Sequence, residues 1–231
     1  MKTKPSSKLI ALVGGSGAGK SWLAARLLRA FGDEATALSL DDFYCDLSRL
    51  RLSEREKVNF DCPDSIDWPL FEGVLRKLRN GVAAFTPRYC FVSHTRLTER
   101  EARSPRPFLF VEGLWLLWLP RIRELFDLGV FLDCPGSLRW QRRFARDLNE
   151  RGRTTDSICE QFLNVVAPMH SRFVEVQKPW ADLVIEQPIR QTELSRLFAT
   201  IRALRTEPAP GPLEVTGSRA TTPLVKTLQS L

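Results

Sequence analysis

The segment GGSGAGKS, residues 14–21, limits the folds open to this 231-residue chain more than any other segment. It matches the pattern GxxxxGK[ST], follows an apolar run at residues 8–13 and precedes the amphipathic stretch SWLAARLLRAF. A glycine-rich loop between a strand and a helix can turn its amide groups inward, and the helix N-terminus adds partial positive charge. The segment therefore predicts a phosphate-binding loop, although without a ligand the same pattern would be a tight strand-to-helix turn.

The loop pattern assigns a role to each of its residues. Backbone amides would hold the phosphates of a nucleotide at Gly14, Gly15, Ser16, Gly17, Ala18 and Gly19. The Lys20 ammonium would also bind the phosphates, and the Ser21 hydroxyl would bind Mg²⁺. Because ATPases, GTPases and small-molecule kinases share such loops, the loop does not by itself select a reaction. The sequence has no guanine-reading NKxD motif, so GTP specificity is not expected.

Apolar runs of strand length alternate with segments of helical period along the chain. Strands are expected at residues 8–13, 36–40, 108–111, 130–133 and 183–185, and helices from residue 20, around 69–79 and through 204. Strands buried on both faces with helices between them indicate the α/β class, here a P-loop NTPase fold with a parallel sheet flanked by helices. Residues 82–95, rich in β-formers and interrupted by Pro87, predict a small antiparallel β excursion.

The composition narrows the class of protein. The apolar stretch FLFVEGLWLLWLP contains Glu112 and ends at Pro120, short of the roughly 20 apolar residues of a membrane span, so no membrane partner is expected. The five scattered cysteines include no CxxC pair, which predicts reduced thiols and a cytoplasmic protein. A net charge of +7 favours a polyanionic partner, whether nucleic acid, membrane surface or nucleotide. From residue 206 periodicity ends, so we expect one domain at 1–205 and a disordered tail at 206–231.

Three carboxylates follow predicted strands, and in a parallel sheet ligands bind beyond the carboxyl ends of the strands. Asp133 precedes CPG and a helix, which is typical of a helix cap. Asp41 and Glu112 close strands expected near the phosphate loop. One carboxylate can hold Mg²⁺, and a second can accept a proton from an attacking alcohol. Together they predict a kinase that acts on a hydroxyl group.

Seven motifs occur in order between residues 9 and 201: GGSGAGKS, LSLDDFY, NFDCPDSID, PRYCFVSHTR, VEGLW, FLDCPGSLRWQRRFARDLNERGR and QFLNVVAPMHSRFVEVQKPWAD. In this order the chain resembles the uridine kinase (uridine–cytidine kinase) family of P-loop kinases. The resemblance implies transfer of the γ-phosphoryl group of ATP to the 5′-hydroxyl of uridine or cytidine, with Mg²⁺. It also implies a small-molecule nucleoside as partner and no nucleic acid, and it leaves a homo-oligomer open.

The resemblance implies roles for individual residues. Asp41 matches the catalytic base, which also lies near the metal with Ser21 and Glu112, and Lys20 assists catalysis. Asp61 matches the carboxylate that binds the ribose hydroxyls. The other matching nucleoside-site positions are Phe60 and Phe91 as aromatic walls, Tyr89 and His94 at the base edge, and Arg143, Arg153 and Gln161. Arg146 and Arg151 match arginines that contact phosphate and act in catalysis.

The chain departs from the family pattern at several positions. Cys90 stands where an acid is common, Cys62 stands where a histidine is common, and IEQPIRQTE lacks a glycine-rich turn near the adenine. Trp22, unusual after GKS, is expected to face the packing side of its helix. Two alternatives remain: a related kinase of another small alcohol, such as nicotinamide riboside or a sugar acid, and a basic nucleic-acid-binding or regulatory module without kinase chemistry.

The segment RWQRRFARDLNERGR, residues 139–153, contains six arginines. On a helix, Arg139, Arg142, Arg143 and Arg146 form one basic stripe, while Trp140, Phe144 and Leu148 lie away from its centre and are expected to pack on the domain. Such a stripe is typical of a solvated face. Because NERGR supplies a polar turn before another helix, we interpret residues 137–165 as a helical lid that folds arginines over the bound substrates.

Overall fold

The computed structural model describes residues 7–55, 57–150 and 152–205 of the chain. Its strands are β1 (Lys8–Val13), β2 (Ala35–Ser39), β3 (Ala84–Thr86), β4 (Tyr89–Cys90), β5 (Thr95–Arg96), β6 (Glu101–Arg103), β7 (Phe108–Gly113), β8 (Leu128–Asp133) and β9 (Leu183–Glu186). Its α-helices are α1 (Lys20–Phe31), α2 (Leu52–Arg55), α3 (Trp68–Arg79), α4 (Pro120–Arg123), α5 (Gly136–Glu150), α6 (Thr155–Gln161), α7 (Ala167–Met169) and α8 (Gln191–Ala203).

The main sheet is parallel and has the strand order β2-β7-β1-β8-β9. Its central strand, β1, is buried on both faces: Ile10 and Leu12 face the core under α1 and α8, and Leu9, Ala11 and Val13 face the core under α3. Burial on both faces explains why β1 is a continuous apolar run rather than an alternating pattern. The predicted α/β class, with its parallel sheet flanked by helices, is confirmed.

Two short antiparallel sheets stand beside the main one. β3 pairs with β6, and β4 pairs with β5. The predicted β excursion at 82–95 is therefore present, and it extends to Arg103 because β6 returns to pair with β3.

The segment from α5 to β9 is almost entirely helical. The Thr154 hydroxyl caps α6 by accepting a hydrogen bond from the Ser157 amide. The chain continues through π-helical turns at Phe162–Val166 and His170–Val174, on either side of α7, and a 3₁₀ helix at Glu175–Trp180. We call residues 162–180 the return helix, because they bring the chain back to the start of β9.

The described residues contain no helix that is long and apolar enough to cross a membrane. Within the same residues the five cysteines form no disulfide. The expected tail, 206–231, lies outside the described residues.

Candidate active site

The phosphate loop joins β1 to α1 as the sequence predicts, and glycine is required within it. Gly17 has φ +81°, and a side-chain carbon there would lie 2.5 Å from the carbonyl oxygen of Arg139. Any other residue would meet both a strained backbone and a steric clash. The loop is thus pressed against the start of α5, an arrangement that only the tertiary structure shows.

The Lys20 side chain is buried beneath this loop, and its Nζ donates a hydrogen bond of 3.0 Å to the Gly15 carbonyl oxygen. Burial lowers the pKa of Lys20, while the carboxylates of Glu112 and Asp41 oppose that shift. The ammonium is therefore held between the loop and the two carboxylates that the sequence places at strand ends.

Sheet register brings the Glu112 carboxylate to Ser21. Ser39 and Glu112 are register partners of β2 and β7, and Glu112 Oε1 accepts hydrogen bonds from Ser39 Oγ at 2.8 Å and from Ser21 Oγ at 3.3 Å. Asp41 follows within the 3₁₀ helix Leu40–Phe43, where its amide donates to Ser39 Oγ. These hydroxyl and carboxylate oxygens are the ligand types that suit Mg²⁺.

One cleft of about 1430 Å³ contains most of the predicted site. It is lined by the predicted residues Ser16, Gly17, Gly19, Lys20, Ser21, Asp41, Phe60, Asp61, Tyr89, Phe91, His94, Glu112, Arg143, Arg146, Arg153 and Gln161. A single drug-sized ligand needs roughly 300–1,000 Å³, so the cleft has space for two small substrates. The predicted loop residues Gly14, Gly15 and Ala18 belong to the same loop but do not line the cleft.

An aromatic cluster also lines the cleft. The Phe60 and His94 rings stack with centroids 4.8 Å apart and planes 14° apart. Tyr89 lies edge-on to Phe91, with centroids 5.5 Å apart. The Tyr89 hydroxyl is buried and, within the described part of the chain, has no hydrogen-bond partner. Tyr44, which the sequence motifs did not single out, packs against this cluster, with its ring centroid 5.2 Å from that of Tyr89.

Asp61 lies between the aromatic cluster and the arginines of α5. Its carboxylate is 4.0 Å from Arg143 Nη1. Burial raises the pKa of Asp61, and the positive charges of Arg143 and Arg153 oppose that shift. Arg143 also donates to Gln161 Oε1 at 3.0 Å, and Arg153 donates to the same oxygen. The sequence-predicted residues 61, 143, 153 and 161 therefore form one polar group.

The basic stripe of α5 is not a solvated face. The buried residues of α5 are Arg139, Arg143 and Asp147, whereas Leu148 is 43% exposed. The expectation that Leu148 packs on the domain is wrong, because the arginine face itself turns toward the phosphate loop. Arg143 Nη1 donates to Ser16 Oγ at 3.0 Å, so this face lies against the phosphate loop.

The apolar side of α5 instead packs against the return helix. Trp140 lies with ring centroids 5.3 Å from Phe144 and 4.9 Å from Phe162. These aromatic contacts join the helices of the predicted lid to each other, and they leave the arginine face of α5 for the cleft.

Trp22 also differs from its prediction. It does not face the packing side of α1: it is 49% exposed, lines the cleft beside Ser21 and has the Arg26 guanidinium over its ring at 5.6 Å. Helical rotation explains this, since Leu23 and Ala24 take the buried positions of the same turn.

Several site residues were missed from the sequence. Arg142 Nη1 donates to the Gly17 carbonyl oxygen at 3.3 Å, and Arg139 is buried against Gly15 and Gly17. Their positions in the basic stripe were the sequence signal that could have identified them as site residues. His170 was missed as well: a side-chain carbon at Gly15 would lie 2.7 Å from its Nδ1. The predicted Arg151 lies outside the described residues.

Comparison with known proteins identifies the family of this chain. Residues 9–194 match the model of the Phosphoribulokinase / Uridine kinase family. The chain is 41% identical to a uridine kinase of Clostridium perfringens (strain SM101 / Type A) over 179 residues, which are 77% of this chain and 86% of that protein. It is 39% identical to a uridine kinase of Staphylococcus carnosus (strain TM300) over 183 residues, 79% and 88% of the two chains.

A solved structure supports the fold independently. The phosphoribulokinase of Rhodobacter spheroides superposes with a TM-score of 0.60 at 19% identity, covering 79% of this chain and 70% of that one. At that identity the likeness concerns the fold alone, which is the P-loop kinase fold. The family match and the two relatives carry the assignment further: this chain belongs to the phosphoribulokinase/uridine kinase family and is a phosphotransferase.

Proposed function

We propose that the protein transfers the γ-phosphoryl group of ATP to the 5′-hydroxyl of uridine or cytidine. The observation that carries this proposal is the single cleft, in which the phosphate loop, two strand-end carboxylates and an aromatic cluster with Asp61 face one another. The names of the two relatives, both uridine kinases, agree with it. A phosphate site and a nucleoside site in one cleft suit an in-line transfer between two bound substrates.

Asp41 is the general base of the proposed reaction. It lines the cleft after β2, close enough to Lys20 for its charge to oppose the lowering of the Lys20 pKa. An acceptor hydroxyl placed between the aromatic cluster and the loop would give its proton to this carboxylate as the oxygen attacks phosphorus. Lys20 would stabilise the negative charge on the transferred group, because its ammonium already lies under the loop.

The aromatic cluster and Asp61 would select the nucleoside. A carboxylate can accept hydrogen bonds from two adjacent ribose hydroxyls, and Asp61 stands next to Arg143, which fixes its place in the cleft. Phe60, Phe91 and His94 offer ring faces and edges for a pyrimidine. The buried hydroxyl of Tyr89 would gain a partner from the polar edge of the base.

Mg²⁺ fits the oxygens of Ser21, Glu112 and Asp41, which would hold it directly or through water. When bound, it would neutralise phosphate charge during transfer. Glu112 already accepts hydrogen bonds from two hydroxyls, so its carboxylate is fixed in position before any ligand arrives. Arg143, Arg146 and Arg153 add positive charge on the opposite wall of the cleft.

The test is ATP consumption by the purified protein with uridine, cytidine, nicotinamide riboside or glycerate as acceptor, with the product identified by mass. We expect uridine monophosphate or cytidine monophosphate. Turnover of nicotinamide riboside or glycerate alone would show that the nucleoside assignment is wrong. RNA binding that weakens steeply with salt, together with no phosphorylated product, would instead favour a nucleic-acid-binding module, which the net charge of +7 also permits.

A further inference from the structure

Asp147 is a fully buried carboxylate in the last two turns of α5. It does not line the cleft, so it does not contact a substrate bound there. A buried carboxylate without compensating charge is costly, and a change that leaves one uncompensated destabilises a protein strongly. Its surroundings must therefore supply positive charge, and within the described residues arginines of the predicted lid supply it.

Three arginines of the described residues meet this carboxylate. Arg146 contacts Oδ1 through Nε at 2.9 Å and through Nη2 at 2.8 Å, and Arg143 Nε lies 3.2 Å from Oδ2. Arg153, across the turn that follows α5, places Nη1 4.0 Å from Oδ2 and donates its backbone amide to the Asp147 carbonyl oxygen at 3.2 Å. One residue of α5 is thus tied to both sides of the turn.

Each of these arginines continues from Asp147 into the cleft. Arg143 reaches the phosphate loop at Ser16 Oγ, and its pKa is lowered by burial, an effect that the charges of Asp61 and Asp147 oppose. The Arg153 guanidinium donates a hydrogen bond to Gln161. Arg146 is the most exposed of the three, at 31% of its side chain, and its charge acts on buried Lys20. The carboxylate lies behind the guanidinium groups, and the substrates would lie in front of them.

We propose that Asp147 is a positioning residue of the phosphoryl-transfer site: it holds Arg143, Arg146 and Arg153 in the orientation that directs them into the cleft, and it acts only through them. Arg146 is the main link, because both of its contacts with Asp147 are short. The inference rests on the proposed function. Because a misplacement of about 1 Å at a reacting group can cost roughly 100-fold in rate, loss of this anchor should reduce kcat more than the affinity for ATP.

A double-mutant cycle with Asp147→Asn and Arg146→Ala tests this link. Asn keeps the shape of the side chain and removes its charge. We expect Asp147→Asn to lower kcat about 10–100-fold with less than about a threefold change in KM for ATP, a split that a general loss of folded protein would not produce. The double variant should be no slower than the slower single variant. Multiplicative losses in the double variant would overturn the proposal, as would a wild-type kcat in Asp147→Asn.

Asp156→Asn is the matched control, since Asp156 is an exposed carboxylate at the start of α6 and does not line the cleft; its kcat should stay within about twofold of wild type. If Asp147→Asn does not fold, as judged by circular dichroism, Asp147→Glu replaces it in the cycle. Glu keeps the charge but moves it by one methylene, so kcat should still fall at least about tenfold. Wild-type kcat in the folded Glu variant would contradict the proposal.

The cycle separates this inference from the proposed function. If the wild-type protein phosphorylates no nucleoside, the proposed function fails, and the cycle is then measured on basal ATP hydrolysis, which depends on the same cleft arginines. Non-additive losses of hydrolysis would still support the anchor role of Asp147, and additive losses would refute it.

Discussion

At the residue scale, three neighbouring carboxylates differ in their hydrogen bonds and in their access to the cleft, and these differences predict different chemical roles. Glu112 is bonded to two hydroxyls, and Asp41 faces the cleft. Asp42, one residue further along, instead accepts a hydrogen bond from the Tyr89 backbone, and burial raises its pKa. Among the residues lining the cleft, Asp41 appears and Asp42 does not, so the two adjacent acids of LSLDDFY can be tested against each other.

Asp41→Asn should lower kcat with the best acceptor by about 10²–10⁴-fold, because the variant cannot accept the proton of the attacking hydroxyl. ATP affinity, measured by equilibrium dialysis, should change little, since the phosphate loop is intact. Asp42→Asn is the control and should keep kcat within a few-fold of wild type. Near-normal turnover in Asp41→Asn would refute the assignment of the base.

At the element scale, the return helix supports the phosphate loop from behind. His170 Nε2 is 3.1 Å from Glu175 Oε2, and its other ring nitrogen is buried against Gly15. The pKa of His170 is lowered to about 4, mainly by burial and also by the positive charges of Arg139 and Lys20, while Glu175 opposes the shift. The folded protein therefore keeps this imidazole neutral at pH values where an unfolded chain would bind a proton.

The sign of the resulting pH dependence follows from this difference. The contribution of His170 to stability is complete above the unfolded pKa of about 6.5 and is lost as the pH falls toward 4. Between pH 7 and pH 5 we expect the free energy of unfolding to fall by about 2 kcal/mol through this residue. Urea denaturation of wild type and of His170→Asn at both pH values measures it.

The pH dependence should be smaller in His170→Asn, whereas His94→Asn, the matched control, should keep the wild-type dependence. His94 lies in the aromatic cluster that lines the cleft, whereas His170 does not line it. Equal pH dependence in all three proteins would show that His170 does not carry the effect.

At the scale of the whole molecule, the net charge of +7 has a local counterpart in the cleft. Lys20, Arg142, Arg143, Arg146 and Arg153 all line it. The carboxylates of Asp41, Asp61 and Glu112 line the same cleft, so it carries charges of both signs, and its cations can attract the phosphates of a nucleoside triphosphate. We propose that residues 1–205 form a self-sufficient kinase domain, since the family match ends at residue 194 and α8 closes one core of the sheet.

A variant that ends at Arg205 should retain kcat within about twofold and Tm within a few degrees, because all the described residues of both cores lie before that point. Thermal unfolding and nucleoside phosphorylation measure the two quantities, and a variant that ends at Arg190, before α8, provides the contrast. That shorter chain lacks Leu194, Leu197 and Ile201, so the core residues that pack against them become exposed. It should therefore unfold at a much lower temperature. A large loss in the Arg205 variant would place part of the domain in residues 206–231.

The sequence by itself determined the local features of this protein. The strands, the phosphate loop and the strand-end carboxylates were predictable, because apolar period, glycine spacing and strand order depend on near neighbours or on general rules of parallel sheets. Only the tertiary structure decided which faces are buried. Hydropathy predicts that arginines meet water, but Arg139 and Arg143 meet the phosphate loop and Asp147, and Trp22 is left at the cleft. The physical reason is that a charged side chain is buried only where a partner of opposite charge or a hydrogen-bonding group meets it. Some of these partners come from distant parts of the chain. Others lie on the same helix, and the rest of the fold sets the orientation of that helix.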